Sequence, residues 1–169
     1  TERLSNFARG IVGSAPGGLA TVTIVACTFF AAISGSGPAT TAAIGSIMIP
    51  AMLRDGYGRD FSAAISSSAG GIGVVIPPSI PMIIYGITAE TSISGLFLAG
   101  VIPGLMLGIA LWMVSVVISK RNGWVSHSNM SRSARGIGAA AWDAKWALFA
   151  PVIILGGIYG GIFTVTEAS

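Results

Sequence analysis

The chain has 169 residues, 53% of them hydrophobic and 9% charged, with a mean hydropathy of +0.82. A water-soluble domain usually carries about a quarter charged residues, so an ordinary soluble globule is excluded. The formal net charge of +3 does not point to nucleic acid, because the basic residues sit in short gaps between long apolar runs.

Four stretches lack Asp, Glu, Lys and Arg altogether: Gly10–Leu53, Phe61–Ala89, Thr91–Ser119 and Trp146–Thr166. A bilayer-spanning helix needs about 20 apolar residues, which each run can supply. The sequence therefore predicts an all-α polytopic membrane protein. If the first run enters and returns while each later run crosses once, all nine basic residues fall on one face. The positive-inside rule makes that face cytoplasmic, which places residues 1–9, 54–60 and 120–145 there.

Residues 1–18 read as a cytoplasmic or interfacial lead-in. Thr1 is not an initiating Met, and the chain stops at Ser169 just beyond an apolar run, so an internal piece of a larger protein is expected. In the first run, Ser34-Gly35-Ser36-Gly37-Pro38 is a strong breaker cluster between the apolar arms Leu19–Ile33 and Ala39–Leu53. Each arm would be about 22 Å long, short of the roughly 30 Å hydrocarbon core. Residues 19–53 thus read as a re-entrant helical hairpin that enters from the cytoplasm and turns inside the membrane. Cys27, the single cysteine, reads as a small buried hydrophobe.

The second run, 61–89, contains Gly70-Gly71-Ile72-Gly73-Val74-Val75-Ile76-Pro77-Pro78-Ser79-Ile80-Pro81. A proline costs about 3 kcal/mol in a helix interior, and three with three glycines preclude a continuous helix. A discontinuous transmembrane helix is expected, two half-helices around an unwound stretch. Residues 91–119 read as a plain span in which Gly100, Gly104 and Gly108 make a small-residue packing face. Residues 120–145 form a polar loop holding His127, with Trp124, Trp142 and Trp146 suited to the membrane interface. Residues 146–169 begin a further span, with paired glycines at Gly156-Gly157 and Gly160-Gly161.

Catalytic templates fail along the whole chain. There is no phosphate-binding loop, no zinc-protease motif and no Cys/His metal spacing. Ser36 between two glycines would need a histidine base at bilayer depth to act as a protease nucleophile, and His127 lies in the polar loop. No catalytic residue is expected, and no cofactor. What remains is the two breaks. Unwound backbone at bilayer depth exposes carbonyls and half-helix ends, which suit Na⁺ and an anionic solute group respectively. A channel-like pore would instead show charge or a polar stripe within the runs, and a purely structural subunit would not need breaks at that depth.

The motifs then resemble a known family. Ile33-Ser34-Gly35-Ser36-Gly37-Pro38-Ala39-Thr40-Thr41, Ile49-Pro50-Ala51-Met52, Gly73 through Met82, Leu96-Phe97-Leu98-Ala99-Gly100, Ile102-Pro103-Gly104 and Gly156 through Thr164 occur in order. Together they are similar to the large membrane subunit of the tripartite ATP-independent periplasmic (TRAP) transporters. The resemblance covers nearly all of the chain outside Lys120–Lys145. Two positions depart from the pattern: Gly37 replaces a small hydroxyl or apolar residue, and Val165 replaces a proline.

The resemblance implies an elevator-type ion transporter, of which this chain would be most of the first of two inverted repeats. It also implies a multi-pass protein of the bacterial inner membrane, with the lipid bilayer as its surroundings. The implied activity is Na⁺-coupled symport of an organic acid such as a C4-dicarboxylate or sugar acid. The implied partners are a periplasmic solute-binding protein and a small membrane subunit. The implied ion site takes Ser34, Gly35, Ser36 and Gly37 from the hairpin tip and Gly73, Ile76 and Pro78 from the broken helix, mostly through backbone oxygens. Pro38, Thr40, Thr41 and Ser79 at the same two breaks are the candidate solute-binding residues.

Overall fold

A computed structural model describes residues 17–124 and, beyond them, Phe149, Ile153, Gly156, Gly157 and Gly160. The expectations for the lead-in, His127, Trp142, Trp146 and Val165 lie outside the described residues. Those residues form helices joined by short turns, with no strand among them.

The chain enters α1 (Gly18–Ser34) through Gly17 and leaves it through Gly35, both with positive φ, at 75° and 61°. The helix has no charged residue, and its hydroxyls turn back on its own carbonyls. Thr23 donates to Leu19 O at 2.8 Å and Thr28 to Ile24 O at 2.8 Å. The Thr23 and Thr28 hydroxyls are thereby accommodated within the helix, with Thr23 also 3.6 Å from Met52 Sδ of the following helix.

Two residues later the chain starts α2 (Gly37–Arg54). The arms are therefore longer than the breaker cluster predicts. Gly37 and Pro38 join the first turn of α2, where a missing N–H costs nothing. Arms of 17 and 18 residues come to about 26 and 27 Å.

The next helix, α3 (Arg59–Gly71), packs against both α2 and α1. Its buried face carries Ser62 and Ser66, whose hydroxyls donate to Gly58 O and Ser62 O at 2.9 and 2.8 Å. It tightens into a 3₁₀ turn at Ile72–Val74 and then runs irregularly through a cis Pro77–Pro78 peptide to α4 (Ile80–Thr88). The expected break in the second run is present.

A turn through Glu90, at φ 51°, leads to α5 (Ile93–Arg121). At 29 residues this helix is about 43 Å long. Among the described residues it alone is long and apolar enough to cross a membrane by length and composition. Leu98, Ile102, Met106, Ile109 and Met113 are exposed along it.

The core lies between α1, α2 and α3, around Leu19, Val22, Ile24, Cys27, Ile44, Met48, Met52, Ile65 and Ile72. The base of the hairpin is fastened to the end of α5. Gly17 N–H donates to Trp124 O at 3.3 Å, and the Trp124 ring lies 5.3 Å from Tyr57 and 5.1 Å from Phe61. Gly100 and Gly104 do form a close-packing face, which meets both the irregular segment and Met82 of α4. A Cβ at Gly100 would stand 2.5 Å from Val75 O, and one at Gly104 would stand 2.5 Å from Ile76 Cγ1. No described atom lies within 4 Å of the same position at Gly108.

Candidate functional site

The hairpin tip rests on the break in the second run. At the tip, Gly35 takes the left-handed conformation that only glycine adopts without strain. Its carbonyl accepts the Ile80 N–H at 3.0 Å, and a Cβ on it would stand 2.8 Å from Pro78 O. One turn deeper, Gly73 faces Thr40, Ala31 and the Gly37 backbone, while Thr41 occupies the space where Gly70 has no side chain. The two segments touch backbone to backbone because residues at the crossing are glycines.

Hydroxyls and peptide groups knit the tip together. Ser36 N–H donates to Ser34 Oγ at 3.3 Å, and Ser34 Oγ lies 3.0 Å from Thr40 Oγ1. Thr40 Oγ1 donates to Ser36 O at 2.7 Å, and that carbonyl also accepts Thr40 N–H at 3.0 Å. Across the break, Ser79 Oγ donates to Val74 O at 2.6 Å.

The starts of α2 and α4 repeat one local design. Ser36 and Ser79 are N-caps with near-identical backbone angles, −127°/118° and −130°/122°, and each is followed two residues later by proline. Each side chain accepts the N–H three residues on. The sequence signal was the recurring Ser-x-Pro at Ser36 and Ser79, which the breaker reading passed over.

Between the tip and the break lies a cavity of about 50 Å³ lined by Ile33, Ser34, Gly35, Pro78, Ser79, Ile80 and Ile83. A single water needs roughly 10–15 Å³ by the same measure, so a small ion with water fits. The C-terminal end of α1 reaches this cavity, and α4 starts from its wall. Carbonyls of a helix C-terminus favour a cation and N–H groups of an N-terminus favour an anion. No Asp, Glu, Lys or Arg lines it, and among the described residues no three His, Cys, Asp or Glu cluster. The donors on offer are hard oxygens from hydroxyls and peptides, which suit an alkali cation better than a transition metal.

The structure brings together Ser34, Gly35, Ser36, Gly37 and Thr40 with Gly73, Pro78 and Ser79. Thr40 and Ser79 are buried, Thr41 is half-buried against Gly70, and Pro38 is exposed. The Ile76 side chain packs on Gly104 of α5. Sequence reasoning passed over Ala31 as a site component, and it counted Gly70 and Val74 within the break but not among the candidate ligands; all three lie directly beneath the tip.

A family model described as "Tripartite ATP-independent periplasmic transporter, DctM component" matches residues 1–169. The isethionate TRAP transporter permease protein of Oleidesulfovibrio alaskensis is 54% identical over 169 residues, 100% of this chain and 26% of that protein. The C4-dicarboxylate TRAP transporter large permease protein of Pseudomonas aeruginosa is 48% identical over 168 residues, 99% and 39% respectively. The ectoine TRAP transporter large permease protein of Halomonas elongata is 45% identical over 168 residues, again 99% and 39%. The chain thus spans between about a quarter and two-fifths of the length of these relatives.

Proposed function

The chain belongs to the DctM component family of tripartite ATP-independent periplasmic transporters, and from that premise we propose that it is part of the large permease of a Na⁺-coupled importer. That importer is a secondary active symporter of the bacterial inner membrane. A periplasmic solute-binding protein delivers the solute, and a small membrane subunit accompanies the large one. The permease does no covalent chemistry, so it is a transporter and not an enzyme.

The observation that carries this reading is the docking of an uncharged, oxygen-rich hairpin tip onto an unwound segment, with a cavity between them. Discontinuous elements paired in this way supply carbonyls and helix ends for ion and solute without any buried carboxylate. Ser34, Gly35, Ser36 and Gly37 with Gly73, Ile76 and Pro78 form the ion side. Pro38, Thr41 and Ser79 form the solute side, while Thr40, the fourth candidate there, is enclosed within the tip. In the membrane, residues 19–53 are a re-entrant hairpin, 61–89 a broken span and 91–119 a full span. An elevator motion carries hairpin and broken span together, because their glycine contacts make them one body.

The solute is an organic acid such as a C4-dicarboxylate or sugar acid. Relatives of 54%, 48% and 45% identity are named for three different solutes, so this stretch is common machinery and the choice of solute is made elsewhere. The test is uptake by the complete system, reconstituted in proteoliposomes with its binding protein. Uptake should require an inward Na⁺ gradient, and uptake that survives collapse of that gradient refutes the coupling.

A further inference from the structure

We infer that Thr40 is a positioning residue that fixes which face of the Ser34 hydroxyl meets the cavity. The inference rests on the sodium reading above and gives Thr40 a role different from solute contact.

The argument is one of proton counting. A threonine hydroxyl has one proton to give. Thr40 Oγ1 lies 2.7 Å from Ser36 O and 3.0 Å from Ser34 Oγ. A carbonyl can only accept, so the shorter contact takes the Thr40 proton. The Ser34–Thr40 contact must then be made with the Ser34 proton. Ser34 Oγ in turn accepts the Ser36 N–H at 3.3 Å. A directed circuit results, from Ser36 N–H to Ser34, from Ser34 to Thr40, and from Thr40 back to the Ser36 carbonyl.

This circuit decides what the tip can offer an ion. Three donors reach the Ser36 carbonyl, Thr40 Oγ1 at 2.7 Å, Thr40 N–H at 3.0 Å and Ser34 Oγ at 3.4 Å, and the two shorter Thr40 bonds use its two lone pairs. Of its two acceptors inside the tip, Thr40 Oγ1 at 3.0 Å and the already doubly bonded Ser36 O at 3.4 Å, the Ser34 proton takes the nearer. One lone pair on Ser34 Oγ remains, and Ser34 lines the cavity. A hydroxyl that presents a lone pair binds a cation, whereas one that rotates its proton into the cavity repels it.

Thr40 is suited to hold that orientation. It is fully buried, and its Oγ1 would stand 3.1 Å from a Cβ at Gly73, so the broken segment backs it from behind. Its hydroxyl faces inside the tip and not a solute path. The sequence could not supply this role, because six residues separate Ser34 from Thr40 and only the two-residue turn at Gly35-Ser36 brings them together.

The experiment uses the full-length permease with its partner subunits in proteoliposomes, measuring solute uptake against Na⁺ concentration. Thr40→Val keeps the shape and removes the hydroxyl. It should raise the Na⁺ concentration for half-maximal uptake about tenfold, with less than a twofold change in solute half-saturation at saturating Na⁺. Thr40→Ser should stay within twofold of wild type in both. On a Ser34→Ala background, Thr40→Val should add no further shift, since the effect runs through Ser34. Thr40→Cys, a weaker hydrogen-bonding group of similar size, gives an intermediate shift and serves if the valine variant does not assemble.

An unshifted Na⁺ dependence in Thr40→Val, or the same shift with and without Ser34, overturns the inference. So does a change confined to solute half-saturation, which would return Thr40 to the solute side. Na⁺-independent uptake by the wild type overturns the sodium reading itself and is told apart by that control.

Discussion

A methyl group on Gly35 would meet two separate obstacles, a φ of 61° and the Pro78 carbonyl at 2.8 Å. The left-handed conformation alone costs an L-residue about 1–2 kcal/mol, and the carbonyl cannot yield without moving the segment that holds Ser79 and the start of α4. Gly35→Ala is therefore expected to lower the thermal stability of the purified permease and to abolish uptake by lifting the tip off the break. Gly108→Ala is the matched control, since no described atom lies near its added carbon. It should change stability by no more than about 0.5 kcal/mol. Equal behaviour of the two variants in thermal unfolding and uptake would contradict the docked tip.

Among the elements, α5 shows how a correct motif can acquire a second neighbour that periodicity does not announce. Glycines every fourth residue do signal close approach, and the usual partner is another helix. Here the Met82 side chain of α4 is one approaching group, and the Val75 carbonyl of an irregular segment is the other. Periodicity reports which face is small, while the identity of what packs there depends on tertiary contacts. Gly100→Ala should cost about 1–3 kcal/mol by overpacking, read as a fall in thermal stability that Gly108→Ala does not share.

The breaks themselves were legible, because proline and glycine act on their own backbone. The Ser34–Thr40–Ser36 circuit was not, because it exists only once the two arms are set two residues apart. Gly37 and Pro38 were read as part of the turn for a related reason. Their composition says breaker, while their position in a first turn makes them helical.

The aromatic clasp at the other end of the hairpin is a second packing feature that composition hid. Tyr57 is buried against Phe61 and Trp124, with its hydroxyl near the Leu19 backbone. Burial pushes that hydroxyl up from 10.0 to about 12, with the Asp55 charge adding to the effect and the Leu19 backbone opposing it. Below pH 10 the group is protonated in both folded and unfolded chains, so stability there is indifferent to it. From about pH 10 to 12 the unfolded chain ionises first and stability falls. Tyr57→Phe should remove that alkaline component from the pH profile of thermal unfolding. It should leave neutral-pH stability within about 1 kcal/mol of wild type, because the hydroxyl has only a weak contact with the Leu19 backbone to lose. An unchanged alkaline limb in the phenylalanine variant would show that Tyr57 is not the group responsible.

For the molecule as a whole, the placement of charge makes the strongest demand. All nine Lys and Arg fall on one face only if residues 10–53 enter and return on the same side. The hairpin has the form this needs: two arms of about 26–27 Å joined by two residues, with base and tip at opposite ends. Its base is fastened to Trp124, just beyond Lys120 and Arg121 at the end of α5. That contact puts the Arg54–Arg59 loop and the end of α5 at the same end of the molecule, as the charge count demands, because Tyr57 joins the same aromatic cluster. The α4–α5 turn at Ala89–Thr91 lies at the other end of that 29-residue helix, and the proposed topology puts it across the membrane.

Cysteine accessibility tests this directly. Native Cys27 is fully buried and should contribute little labelling. With other cysteines of the full-length protein replaced, Thr91→Cys should react with a membrane-impermeant maleimide added to spheroplasts. Arg59→Cys, exposed at the start of α3, should react only after permeabilisation. Labelling of both positions from one side would mean that the segment between them does not cross, and the single-sided distribution of positive charge would need another cause.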